Sequence, residues 1–169
     1  MIISGQMNAA LNEQAGNEFG ASMQYVAIAS YFAQESLPEL AAHFYLQADE
    51  ERAHGLRFVR FVVDAGGEVH IPAIPAARSA FGTAEEAVQR ALEGEVSVTR
   101  QVTQLVDQAI RESDHITHNA LQWFVTEQLQ ELASMETLLR IVQRAGERGL
   151  LHVEEHLARH RSAPPAGAE

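Results

Sequence analysis

Four stretches of this chain carry the 3.6-residue apolar spacing of amphipathic helices, and each sets a glutamate in the middle of its apolar stripe. The glutamates are Glu18, Glu51, Glu95 and Glu131, and Glu51 is followed one turn later by His54. Leu11, Ser22, Tyr25, Ala29 and Phe32 share the face of Glu18, as Leu40, Phe44, Ala48, Phe58 and Val62 share that of Glu51. Val88, Ala91, Val102 and Val106 surround Glu95, and Ala120, Phe124, Met135, Leu138 and Val142 surround Glu131. The spacing also repeats: thirty-three residues and then three separate positions 18, 51 and 54, and again 95, 128 and 131. Each half of the chain therefore carries an equivalent set. A carboxylate buried without a partner is destabilising by several kcal/mol, so four of them require compensation. A salt-bridge network is one solution, but the stripes supply almost no Lys or Arg. The pattern points instead to a pair of metal ions.

Helix punctuation divides the rest. A first helix is predicted from about residue 6 to 35, closed by Ser36, Leu37 and Pro38, because proline disfavours helix in the residue before it. A second begins near Glu39 and stops at Gly66-Gly67. Residues 68–82 hold two prolines and no helical period, and read as an extended connection. Thr83 then opens a third helix, with Glu86 completing a capping box, and that helix ends near Ser113. Asp114 caps a fourth that runs to about Ala145 and Gly146, and a short fifth fits residues 148–161. The tail 162–169 is small and proline-rich and is expected to be disordered, leaving residues 1–161 as one domain. Two hairpins joined by a connection long enough to cross the whole bundle make an all-α fold. It is a four-helix bundle with one long crossover, parallel second and third helices, and a short fifth C-terminal helix.

Composition excludes several functions. With 169 residues the chain can bury a substantial core, and with no cysteine it has neither disulfides nor thiolate metal sites. No apolar run reaches the length of a membrane span, and the start lacks the pattern of a signal peptide. A soluble, cytoplasmic protein is expected. The formal charge of −11 argues against nucleic acid and anionic membrane as partners.

Glutamate ligation with a single histidine suits iron or manganese better than structural zinc, which prefers sulfur and nitrogen. Glu51 and His54 lie on one helix face and can share a metal; Glu51 can also bridge to a second ion, with Glu18 and Glu95 completing the pair. Glu127 and Gln128 lie on the turn before Glu131, where Gln128 can hold a water or orient a ligand. Tyr25 lies two turns along from Glu18, placed as an electron donor, a hydrogen-bond partner or simply a core tyrosine.

The segments LNEQAGNEFGASMQY, QADEERAH and LQWFVTEQLQE resemble the corresponding stretches of bacterial non-haem ferritins, over residues 6 to about 160. YVAIASYF followed by LPELAAHFY is most similar to the actinobacterial branch. Ferritin-like bundles have this single long crossover and project metal ligands inward from all four helices. The resemblance implies a 24-subunit hollow shell that oxidises Fe(II) with O2 or H2O2 and stores ferric oxyhydroxide. By position, Glu18, Glu51 and His54 match a first ferroxidase iron site and Glu51, Glu95 and Glu131 a second, so iron is expected at two ions per subunit. Gln128 matches the family's nearby glutamine and Tyr25 the tyrosine beside the centre. Glu50 and Glu127 match two ligands of a third iron site, but Gln130 stands where its third glutamate is expected. Haem-bearing relatives have a second ExxH motif, where this chain has Gln128 and Glu131, and a haem-ligating methionine, where it has Arg52; no haem is expected.

Weaker features remain. His152, His156 and His160 form a stripe on the fifth helix, read as solvated or, by resemblance, as lining a four-fold pore. His115 and His118, with Asp114, begin the fourth helix, where ferritin shells have three-fold channels. Trp123 beside Phe124 reads as packing. A rubrerythrin-like peroxidase is the alternative within the fold, but the cysteine-bound iron of that family has no counterpart here. A mini-ferritin builds its iron site between subunits, whereas one bundle here carries a full set.

Overall fold

The computed structural model describes residues 2–161; the tail expected to be disordered lies outside them. The chain forms α1 (Gly5–Gln34), α2 (Pro38–Asp64), α3 (Ala84–Arg111) and α4 (His115–Ala145), then a 3-10 turn at Glu147–Gly149 and α5 (Leu150–Arg161). Among the described residues there is no strand, and no helix is long and apolar enough to cross a membrane.

The two hairpin turns are built alike. Ser36 and Ser113 each take positive φ, 60° and 54°, just past the ends of α1 and α3. The next N–H in each case reaches back five residues, Leu37 to the Phe32 carbonyl at 2.9 Å and Asp114 to the Ala109 carbonyl at 2.8 Å. These are Schellman closures, with serine where glycine is usual. Gly66, at φ 71°, closes α2 in the same way. Asp114 then caps α4 by accepting from the Thr117 N–H at 2.9 Å. At α3 the capping box differs from expectation. Thr83 accepts from the Glu86 N–H at 3.1 Å, but the Glu86 carboxylate accepts from Gly82, one residue before the cap, at 2.7 Å. Arg78 pairs with that carboxylate and draws it toward the crossover.

α1 packs along α2 and α3 along α4, and the hairpins meet through α1 and α3. Ser4 at the start of α1 donates to Glu112 at the end of α3 at 2.6 Å, so these two helices run antiparallel. The crossover returns along α1. Asn12 donates to the Glu68 carbonyl at 2.8 Å and accepts from the His70 N–H at 2.7 Å; farther on, Gln24 makes the same paired contact with Arg78 at 2.8 and 3.0 Å. Three of these four helices' first turns are closed by neighbouring serine, threonine or aspartate, but α2 starts at Leu37-Pro38 with no side-chain cap of its own. Its Glu39 and Leu40 N–H groups donate instead to Glu154 of α5 at 2.7 and 2.8 Å. Glu147 accepts from the first N–H of α3, that of Ala84, at 3.0 Å. Both contacts put the N-termini of α2 and α3 at one end, so the two helices are parallel, as the crossover length predicts.

The core falls into two apolar clusters. One holds Phe32, Phe44, Val88, Met135 and Val142, and the other Met7, Leu11, Phe58, Val102 and Leu121. Val106 and Ala120, expected at the centre of their stripes, are half-buried, while Leu121 is fully buried. The layer between the clusters is polar.

The buried Glu154 carboxylate satisfies two helix N–H groups, and a charge-assisted bond of this kind contributes about 1.5–3 kcal/mol. Glu154→Ala is expected to lower unfolding stability by about 2 kcal/mol and to speed amide exchange at Glu39 and Leu40. Chemical denaturation with hydrogen-exchange mass spectrometry checks both.

Candidate metal centre

The polar layer contains the four glutamates, one from each long helix. Glu18, Glu51 and Glu95 are each 1 % exposed and Glu131 is 9 % exposed. His54 lies beside them, with Nδ1 3.4 Å from Glu51 Oε2. One ligand atom from each of Glu18, Glu51 and His54 lies within 4.8 Å of the others. Among the described residues no arginine pairs with any of these carboxylates.

Two halves of the layer differ in how their oxygens are used. Glu18 Oε2 and both Glu51 oxygens are buried without a hydrogen-bond donor. Glu18 Oε1 accepts from Gln14 Nε2 at 2.9 Å. Both oxygens of Glu95, by contrast, are satisfied, one by the Tyr25 hydroxyl and the other by Gln128 Nε2 at 3.1 Å. Gln128 also donates to Thr99 Oγ1 at 3.2 Å, which fixes the amide's direction. The first half is thus a set of open ligand atoms. The second is oriented by protein donors, and Glu95 and Glu131 stand outside the tight group.

The acid–base state follows from burial. Burial first, then the Glu51 charge, hold Glu18 well above the usual carboxylate range. Glu51 is pushed up to about 8, by burial first and the Glu95 charge next. Glu131 is raised to about 7 by burial, Glu95 and Glu50. Burial and then the Glu95 and Glu51 charges keep the Tyr25 hydroxyl protonated far above its ordinary value. Burial thus favours the protonated form of these carboxyls in the layer.

Aromatic packing fixes His54. Its ring meets Trp123 edge-on at 5.3 Å between centroids and Phe124 at 6.0 Å. The Arg57 guanidinium covers the Trp123 ring at 3.8 Å. Trp123 is a packing residue, as expected. Glu50 and Glu127 lie on the α2–α4 side. Glu50 is exposed and accepts from Gln47, Glu127 is half-buried, and Gln130 is exposed. On α5, His152 and His160 are exposed, and the His156 and His160 rings lie 4.1 Å apart. His115 is exposed and His118 half-buried at the start of α4.

Sequence reasoning did not find Gln14, Gln101 and Thr99. Gln14 lies one turn before Glu18 on the same stripe, a polar residue where an apolar one is expected, and that was its signal.

Residues 8–145 match the ferritin-like domain family. A mycobacterial relative, Ferritin BfrB of Mycolicibacterium smegmatis, is 43 % identical over 97 % of this chain and 89 % of its own. The bacterial non-heme ferritin of Staphylococcus aureus is 33 % identical over 86 % of this chain and 88 % of its own. Among solved structures, an open-pore ferritin from Archaeoglobus fulgidus superposes with a TM-score of 0.89 at 34 % identity, covering 92 % of this chain and 96 % of that one. An all-helical bundle with a buried carboxylate layer is the architecture of the ferritin-like class. This chain belongs to the ferritin family and is similar to the bacterial ferritins.

The raised carboxyls have a pH signature. Below their ordinary value of 4.5 they are protonated in folded and unfolded chains alike. As pH rises from there, the unfolded chain releases protons that the folded chain keeps, so folding stability falls. The loss continues through about 7 for Glu131 and about 8 for Glu51. Urea unfolding of the metal-free protein should therefore show stability declining by a few kcal/mol between roughly pH 5 and pH 8. Glu51→Gln should flatten that decline, and a flat profile in the unaltered chain would contradict the burial argument.

Proposed function

We propose that the protein is an iron-storage ferritin with an intra-subunit ferroxidase centre. The observation that carries this reading is the buried group of Glu18, Glu51 and His54, in which three of the four carboxylate oxygens have no hydrogen-bond donor and no arginine pairs with either carboxylate. Fe(II) is the substrate. One ion is held by Glu18, Glu51 and His54 and the other by Glu51, Glu95 and Glu131, with Glu51 between them. Binding displaces the protons that the metal-free carboxyls hold. The anionic oxygens favour Fe(III) over Fe(II), which lowers the potential and drives oxidation. Two Fe(II) give up two electrons together; O2 with two protons becomes H2O2, or H2O2 with two protons becomes two waters. The ferric product hydrolyses to oxyhydroxide.

Tyr25 and Gln128 hold Glu95 in position, so its carboxylate is kept from rotating while the iron beside it changes charge. Tyr25, adjacent to the second ion, is also placed to supply an electron. Glu50 and Glu127 receive iron leaving the centre, and Gln130 makes that third position weaker than three carboxylates would. The relatives' similarity supports assembly of copies into a hollow shell, which we take to be 24 subunits in the cytoplasm with residues 1–161 as the folded unit. Arg52 in place of a methionine supports a shell without haem.

Stopped-flow mixing of metal-free protein with Fe(II) under air tests the reading. Fast oxidation should saturate at two Fe(II) per chain, in a particle far larger than a dimer by size exclusion. Glu18→Ala and His54→Ala should each slow the fast phase by about a hundredfold or more while leaving particle size unchanged. Unaltered rates in both variants would sink the site assignment.

A further inference from the structure

A cavity of about 380 Å³ lies between α1, the crossover and α3, and its floor is the layer next to the metal centre. Tyr25, Ala91 and Val98 form that floor, each 5 % exposed or less. Ala91 and Val98 stand one turn on either side of Glu95 on one helix face, and Tyr25 bonds to Glu95 directly. From Gln101 on the lining, an amide pair leads toward Glu18. Gln14 Nε2 lies 3.4 Å from Gln101 Oε1, a long contact, while bonding Glu18 at 2.9 Å.

The space is built into the fold. Small residues on both helices, Gly20 and Ala21 facing Gly94, leave the gap. The crossover roofs it and is fastened at both ends, by Asn12 to Glu68 and His70 and by Gln24 to Arg78. Pro72 seats so closely on α1 that a Cβ on Gly16 would come 2.3 Å from its Cγ.

Its chemistry differs from that of the opposite side of the bundle. The lining has one carboxylate, Glu13, and one guanidinium, Arg90; its other polar side chains are neutral amides and hydroxyls. A dication gains nothing there. The α2–α4 side carries Glu50 and Glu127, near enough to each other for the Glu127 charge to raise Glu50, although burial raises it more. In a chain of net charge −11, a charge-balanced passage to a metal centre suits an uncharged reactant.

We propose that this cavity admits the neutral oxidant, dioxygen or hydrogen peroxide, from the α1–α3 side, with Gln14 and Gln101 as its inner gate, while Fe(II) approaches from the α2–α4 side by way of Glu50 and Glu127. This rests on the ferroxidase reading and adds separate routes for the two reactants. Opposite approach directions let the two reactants reach the centre without sharing a passage. Peroxide can exchange hydrogen bonds with the amides of Asn17, Gln24 and Gln101 along the way; dioxygen needs only the gap.

Gly94→Leu tests it. A Cβ at Gly94 meets no atom within 4 Å, so the side chain is free to occupy the cavity, and leucine is the better helix former. Anaerobic Fe(II) titration followed by calorimetry should still give two ions per chain. Stopped-flow oxidation should slow by about tenfold or more with peroxide, and by a smaller factor with the slimmer dioxygen. Gly94→Ala should remain within about twofold of the unaltered chain, and Ser97→Leu, at another point of the lining, should repeat the loss. Unchanged rates with both oxidants in a folded Gly94→Leu and Ser97→Leu would overturn the proposal, as would loss of Fe(II) binding, which would assign the cavity to the metal. If the unaltered chain itself showed no saturation at two Fe(II), the ferroxidase reading would fail first. Saturation there with unimpaired leucine variants would remove only the oxidant route.

Discussion

Four carboxylates in the middle of an apolar bundle set the terms for everything around them. They divide what would be a continuous core into two clusters, one toward each end of the bundle. A layer of that kind is tolerable only if each charge is neutralised by a proton, a donor or a cation. Different positions use different means. Glu95 has donors on both oxygens, Glu131 and Glu51 keep protons near neutral pH, and the three oxygens of Glu18 and Glu51 that have no donor are those the proposed function gives to iron. In the proposed function, folding stability is thereby reduced in favour of affinity for iron. The apolar ends must supply what the middle gives up, which is why Phe32, Phe44 and Phe58 are sealed from solvent on both sides of the layer.

How the helices approach one another follows from this. α1 and α3 come close through glycine and alanine, whereas α2 and α4 meet less closely and through long side chains. Phe58 stacks on Phe124 at 4.0 Å, and His54 reaches Trp123. The histidine comes from the wider pair, where a ring fits between helices. The hydroxyl of Tyr25 comes from the narrower side and crosses to Glu95. Small residues on one side and aromatic ones on the other give the two sides of a single layer different access, though every helix contributes one glutamate.

Most of the fold was legible because its signals are local and repeat with the helix. Proline at 38, glycine at 66 and 146, and Thr83 and Asp114 as caps marked helix ends to within a residue or two. The four glutamates and His54 were legible because a charge in an apolar stripe contradicts the stripe. Long-range contacts left weaker traces. Nothing near Leu37 says that its helix is finished by Glu154, more than a hundred residues later. Gln14 and Thr99 were missed because a single amide or hydroxyl on a helix is common, and only the partner across the bundle gives it a task. Glu86 was placed correctly as the third residue of a capped turn, but Arg78 redirected its carboxylate, and the arginine sits in a segment with no period to read.

The carboxylates of Glu147 and Glu154 close the starting turns of two helices made long before them. During synthesis, α1 through α4 can collapse as they emerge, but the uncapped start of α2 stays open until Glu154 of α5 has left the ribosome. The bundle is therefore finished from its far end. A chain cut short before Glu154 keeps all four long helices and loses the clasp on the start of α2.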